Sequence, residues 1–135
     1  MEIDTRIRES FARQGMMTTL GARLVAVTPG AVEIEAAITP ETSQQHGFAH
    51  AALAFALGDS AAGYAALTVM PEDREVVTSE MKIHLLAPAR GARLVARGRV
   101  VKPGRRLVIV TADVYAVTAG AETHAALLTG TMVPV

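Results

Sequence analysis

The spacing of apolar residues changes period along the chain, and each change marks an element. From Asp4 to Gln14, with Ile3, Ile7 and Phe11 near helical spacing, the pattern predicts a short amphipathic helix that Asp4 or Thr5 can cap and Gly15 can stop. The period then drops to two. Leu24–Val27 and Val32–Ala37 flank Thr28-Pro29-Gly30, and Val32, Ile34 and Ala36 alternate with Glu33 and Glu35. That alternation predicts a hairpin whose second strand has one buried and one wet face.

A polar loop, Glu41 to Gly47, leads into a run from Phe48 to Leu67 that is rich in Ala and Leu and holds no β-branched residue. These are helix formers, and the absence of a polar stripe predicts a helix buried on nearly every side. Met70-Pro71-Glu72-Asp73 ends it. Beyond, Val76–Leu86, Arg93–Val101, Leu107–Val117 and Thr123–Val133 have strand composition. Pro103 and Gly104 within Lys102-Pro103-Gly104-Arg105 predict a type II turn, closing a tight hairpin between Val101 and Arg106. The element order is that of an α+β fold, one buried helix against a larger antiparallel sheet. A flat sheet cannot cover a helix that is apolar all round. The sheet must curl around it, or a second subunit must close the open side.

Composition narrows the function classes. Half of the 135 residues are hydrophobic and 19% are charged, enough to fill a core, and the length is that of one domain, residues 1–135. Thirteen basic residues balance thirteen acidic ones and aromatics are only 4%. A neutral chain poor in stacking side chains is not expected to bind nucleic acid or a membrane surface. The absence of Cys excludes thiol nucleophiles and disulfide scaffolds. No signal-peptide pattern stands at the N-terminus, so the expected compartment is the cytoplasm.

Asp59 is the most informative residue. An unpaired carboxylate in the middle of a buried Ala/Leu helix costs several kcal/mol. Either Gly58-Asp59-Ser60 breaks the helix and Asp59 caps a second piece, or Asp59 is a general base or nucleophile tuned by its surroundings. His50 begins the same helix, where a histidine is more often structural than catalytic. Asp59 follows His50 by nine positions, which at about 100° per residue places them on opposite faces and roughly 13 Å apart. A site that used both would have to be shared between two chains. At the helix start the Ala51 N–H lacks an intrahelical acceptor and could donate to an oxyanion, although Ala there also satisfies plain helix propensity. Gln44 or Gln45 in the preceding loop could hydrogen-bond a substrate carbonyl, or the loop could merely connect. His46 and His50 lack a third ligand, so no metal is expected.

Charge is unevenly placed despite the balance. Arg90, Arg93, Arg97, Arg99, Lys102, Arg105 and Arg106 fall in one segment without an acidic residue. The segment reads either as a solvated sheet face or as an anion site, with the Lys102–Arg106 turn reaching a phosphate. No Gly-x-Ser-x-Gly elbow, Walker-type loop, Gly-x-Gly-x-x-Gly or His-Glu-x-x-His occurs, so a carboxylate acting on water is the remaining hydrolytic chemistry.

The segment Gln44-Gln45-His46-Gly47-Phe48-Ala49-His50-Ala51-Ala52, followed by Asp59, resembles the signature of the PaaI-type hotdog acyl-CoA thioesterases, Asn-x-x-Gly-x-x-His-Gly-Gly with an acidic residue nine positions after the His. Gly47, His50 and Asp59 match. The strand Thr78–Ala89 is similar to the family's strand after the helix, and Thr78 falls on its Ser/Thr position. Gln44 stands for the Asn, as in related 4-hydroxybenzoyl-CoA thioesterases, while Ala51 and Ala52 replace the Gly pair. The resemblance implies a hotdog fold, a long central helix wrapped by a curved antiparallel sheet. It also implies a homo-oligomer, a dimer or a dimer of dimers, acting on a small or aromatic acyl-CoA with no bound cofactor. Asp59 would be base or nucleophile, oriented by Thr78 of its own chain. The Ala51 N–H, with Gln44 and His50 of the other chain, would polarise the carbonyl, and Gly47, Lys102, Arg105 and Arg106 would contact substrate. The alternative is a non-catalytic acyl-CoA-binding or regulatory hotdog protein, and a hotdog dehydratase or hydratase is a weaker third.

Overall fold

The computed structural model describes residues 2–135, so Met1 of the expected 1–135 unit lies outside the described residues. The elements are α1 (Ile3–Ala12), α2 (Gly15–Thr19), β1 (Arg23–Thr28), β2 (Ala31–Ala37), a 3-10 turn (Pro40–Thr42), α3 (Ala51–Leu67), β3 (Val76–Leu85), β4 (Arg93–Lys102), β5 (Val108–Thr118) and β6 (Ala121–Pro134). The six strands form one sheet in the order β1-β2-β4-β5-β6-β3, with every neighbouring pair antiparallel.

The long helix lies across β2, β3, β4, β5 and β6. Five strands at about 4.8 Å spacing span roughly 19 Å, well beyond a helix diameter of about 10–12 Å. The sheet reaches all of them by curving around α3. The helix backbone sits directly on the sheet at Gly98, where an added Cβ would lie 2.3 Å from the Ala61 carbonyl carbon. Alternation supplies the concave face. Val108, Val110, Ala112, Val114 and Ala116 of β5 are buried together with Val32, Ile34 and Ala36 of β2. On the convex face Glu33 and Glu122 bind Arg97 at 2.8 and 2.6 Å, and Glu35 binds Arg93 at 3.2 Å and Arg23. The Arg97 guanidinium holds the Glu122 carboxyl below its ordinary range.

Four local expectations need correction. The first helix begins at Ile3 and its N-cap residue is Glu2; no side chain caps it, and Asp4 instead pairs with Arg8 at 2.8 Å. Gly15 does not stop that helix; it opens α2, and the positive-φ stop comes at Gly21 (φ 66°). The buried helix starts at Ala51 rather than Phe48, because Ala49 bridges Ser43 and donates its N–H to the Ala89 carbonyl at 2.9 Å. The connection after β4 is not a type II turn. Gly104 is not among the positive-φ glycines and the loop runs to Leu107. Glycine is needed there for another reason, since a Cβ would meet the Leu107 carbonyl oxygen at 2.4 Å.

Candidate active site

Burial divides α3 into two halves. Every residue from Ala61 to Leu67 is buried, whereas Ala51, Ala52, Phe55, Ala56, Asp59 and Ser60 form a stripe that stays open or half-open. Asp59 lies on this stripe within an unbroken helix, so it caps no second piece. Its Oδ1 accepts a 2.8 Å hydrogen bond from Thr78 Oγ1 on β3. Thr78 pairs with Met132 in the β3–β6 ladder, just before a bulge that re-aims the strand. Burial raises the Asp59 carboxyl above its ordinary 3.8, and the Thr78 hydrogen bond partly offsets this. The result is a half-buried carboxylate in a cavity of about 170 Å³, shared with Gln14, Ser60, Tyr64 and Thr78.

The second set of residues stands at the helix N-terminus. His50 is the N-cap residue, and its Nδ1 accepts the Ala52 N–H at 2.9 Å. Accepting at Nδ1 places the proton of the neutral ring on Nε2, which becomes a donor. The Leu53 N–H bonds the His50 carbonyl. The Ala51 N–H is left without an acceptor among the described residues, at the positive end of a 17-residue helix. Gln44 opens a tight turn in which the Gly47 N–H returns to the Gln44 carbonyl at 3.0 Å, with Gly47 at φ 85°. The Gln44 side-chain oxygen accepts the His46 N–H, leaving its NH2 as the free donor. Gln44, His50 and Ala51 line a second cavity of about 520 Å³, with Phe48, Leu86 and Pro88 among its walls. Gly47 lines neither cavity, and its part is to hold the turn.

The structure therefore brings Asp59 to Thr78, and Gln44 to His50 and Ala51, in two cavities that share no residue. The basic segment also divides. Arg93 and Arg97 are neutralised on the sheet face, and Arg90 lies 4.7 Å over the Phe48 ring beside the second cavity. Lys102, Arg105 and Arg106 sit in the β4–β5 loop region, and Arg105 shares a cavity of about 560 Å³ with Arg74. Arg74 had no motif to mark it. His84 is exposed on β3, and His124 Nε2 lies 2.9 Å from Asp113 on the convex side of the sheet. Among the described residues, no group of three or more His, Asp or Glu is placed to hold a metal, and no helix is long and apolar enough to cross a membrane.

Sequence reasoning also missed Ser10, Gln14 and Tyr64, which wall the Asp59 cavity. Tyr64 carried a usable signal as the one large polar side chain in the second half of an Ala/Gly helix. Gln14 carried none, because it reaches α3 only through tertiary packing.

Comparison with known proteins agrees with this architecture. Residues 46–121 match the family described as the thioesterase superfamily. A thioesterase family protein from Silicibacter pomeroyi superposes with a TM-score of 0.97 at 43% identity, over 99% of this chain and 98% of that one. The phenylacetic acid degradation protein PaaI of Thermus thermophilus is 29% identical, with a TM-score of 0.76 over 89% of this chain and 98% of its own. PaaI of E. coli shares the fold, with a TM-score of 0.86 at 18% identity over 98% and 93%. The long helix in a curved antiparallel sheet is thus a hotdog fold.

Proposed function

Because this chain belongs to the thioesterase superfamily, we propose that it hydrolyses a small or aromatic acyl-CoA thioester to the free acid and CoA, with Asp59 as the group that activates the attack. The observation that carries this reading is the half-buried Asp59 carboxylate, raised above its ordinary pKa and held by Thr78 at 2.8 Å in a cavity. As a base, Asp59 takes a proton from water as the water oxygen adds to the thioester carbonyl. As a nucleophile, it adds directly and water later cleaves the mixed anhydride. In both courses the carbonyl oxygen becomes an oxyanion, the C–S bond breaks, and the CoA thiolate is protonated.

The Ala51 N–H, the His50 Nε2–H and the Gln44 NH2 are the donors suited to that oxyanion. They lie in the other cavity of the same chain, so a complete site takes Asp59 from one copy and these donors from a second. Two features support a second copy. The open stripe of α3 leaves Phe55 and Ala56 only partly covered. Strand β3 is a ten-residue sheet edge with Val77 48% and Leu85 60% exposed, the kind of edge that pairs with another chain. Lys102, Arg105 and Arg106, joined by Arg74, are suited to the CoA phosphates. The chain's own groups suffice for this chemistry without a bound cofactor.

Thiol release from short, medium, long and aromatic acyl-CoAs, measured beside Asp59→Asn, tests the reading. Hydrolysis that disappears in the variant supports it. Binding of CoA esters without thiol release in the wild type would make the protein a regulatory acyl-CoA binder.

A further inference from the structure

The cavity that holds Asp59 has a second wall whose chemistry hydrolysis does not use. Ser60 Oγ donates to Gln14 Oε1 at 3.2 Å, Gln14 Nε2 donates to Tyr64 Oη at 3.1 Å, and Tyr64 Oη lies 3.2 Å from Ser10 Oγ. All four side chains line the cavity with Asp59 and Thr78. Ser60 and Tyr64 come from α3. Ser10 and Gln14 come from the N-terminal helical region, outside the residues 46–121 shared with the family.

This hydrogen-bonded chain is complete without a ligand, yet it keeps capacity to spare. The Gln14 amide has two N–H donors and two acceptor lone pairs, and one of each is used; the Ser and Tyr hydroxyls retain further lone pairs. An alkyl group entering the cavity would displace water from these groups and replace none of its hydrogen bonds. A group with its own hydroxyl or carbonyl would replace them. The cavity volume of about 170 Å³ equals roughly five or six waters at about 30 Å³ each, the size of a short acyl chain.

We propose that the Ser60–Gln14–Tyr64–Ser10 chain selects the substrate, favouring a short acyl group with a hydroxyl or carbonyl beyond its α-carbon over the saturated isostere. This rests on the thioesterase reading and names the substrate class of that site. Sites built to hydrogen-bond a polar group reject the analogue that lacks it far more strongly than apolar pockets reject an extra methyl. A network that only clamped the N-terminal helices to α3 would slow both members of a matched pair alike.

The test compares kcat/KM for 3-hydroxybutyryl-CoA against 3-methylbutyryl-CoA, and for 4-oxopentanoyl-CoA against 4-methylpentanoyl-CoA. It uses the wild type, Tyr64→Phe and Gln14→Leu. The expected result is a preference of about tenfold or more for the polar member of at least one pair, falling toward one in both variants. Tyr64→Phe keeps the ring that packs 6.2 Å from Phe11, so the fold survives the removal of the hydroxyl. A wild-type ratio near one for both pairs, or a ratio that neither variant moves, overturns the proposal and leaves the thioesterase reading intact. Absence of thiol release from every ester would instead sink the thioesterase reading. Calorimetric Kd values for the same pairs then decide selection. Tighter polar binding that is lost in Tyr64→Phe supports it, and equal Kd values overturn it.

Discussion

The two halves of α3 have nearly the same composition and opposite surroundings. From Ala61 to Leu67 every residue is buried, and at Gly98 the sheet backbone touches the helix backbone. From Ala51 to Ser60 one stripe faces outward, and Ala51 and Asp59, the residues proposed to carry the chemistry, lie on it. Small residues serve close packing in one half and leave an open surface in the other, where the proposed site lies. An Ala-rich helix therefore does not reveal by composition which of its faces is core and which is site. Coverage by the sheet decides that.

The sharpest way to break this contrast is to disturb the closed half. Gly98→Ala must push the helix backbone off β4, since its Cβ would lie 2.3 to 2.4 Å from Ala61 and Ala62 backbone atoms. The expected loss is about 3 kcal/mol or more of stability, read by denaturant unfolding. In the open half, Asp59→Asn is expected to do the reverse, lowering turnover by roughly 100-fold or more without loss of fold. Because burial raises the Asp59 pKa, the stability this group contributes is present below about pH 3.8 and is lost as pH rises through the raised value. At neutral pH the ionised carboxylate therefore opposes folding, and the Asn variant should melt at a higher temperature than the wild type.

Ala51→Pro sharpens the contrast further. It deletes the one backbone N–H among the three donors argued to meet the oxyanion, at a helix position where Pro is well tolerated, and His50 before it already has the extended backbone, φ −63° and ψ 144°, that precedes Pro. Turnover should fall by roughly 100-fold, with helix content by circular dichroism unchanged. Thr78→Val is the mildest change. It removes the hydrogen bond that lowers the Asp59 pKa, so the acid limb of the pH–rate profile should move to higher pH, with about a tenfold loss at neutral pH.

Much of this was legible in the sequence, for physical reasons. The Val32–Ala36 alternation reports a half-buried strand directly, and the absence of β-branched residues from 48 to 67 reports a helix. The apolar run extends past the helix start because Phe48 and Ala49 are apolar whether they are helical or bridged to the neighbouring loop, whereas His50 marks that start. The Pro103-Gly104 turn was misread because glycine can be required by a close approach as well as by positive φ. Asp59 stands out in the sequence as a charge inside an apolar helix, and its angular offset from His50 is the sequence feature behind the proposed two-chain site. The Ser10–Gln14–Tyr64 contacts join residues 50 or more positions apart. No local pattern encodes such a meeting.

The central claim is that one chain's Asp59 works with another chain's helix N-terminus. Mixing Asp59→Asn with Ala51→Pro, after dissociation and reassociation in equal amounts, tests it most directly. Each variant alone should be nearly inactive. In a hybrid dimer one site carries both defects and the other carries neither, so thiol release should recover to roughly a quarter of the wild-type rate. Hybrids that form, as shown by mass spectrometry, yet stay as inactive as the two parents would contradict the shared site.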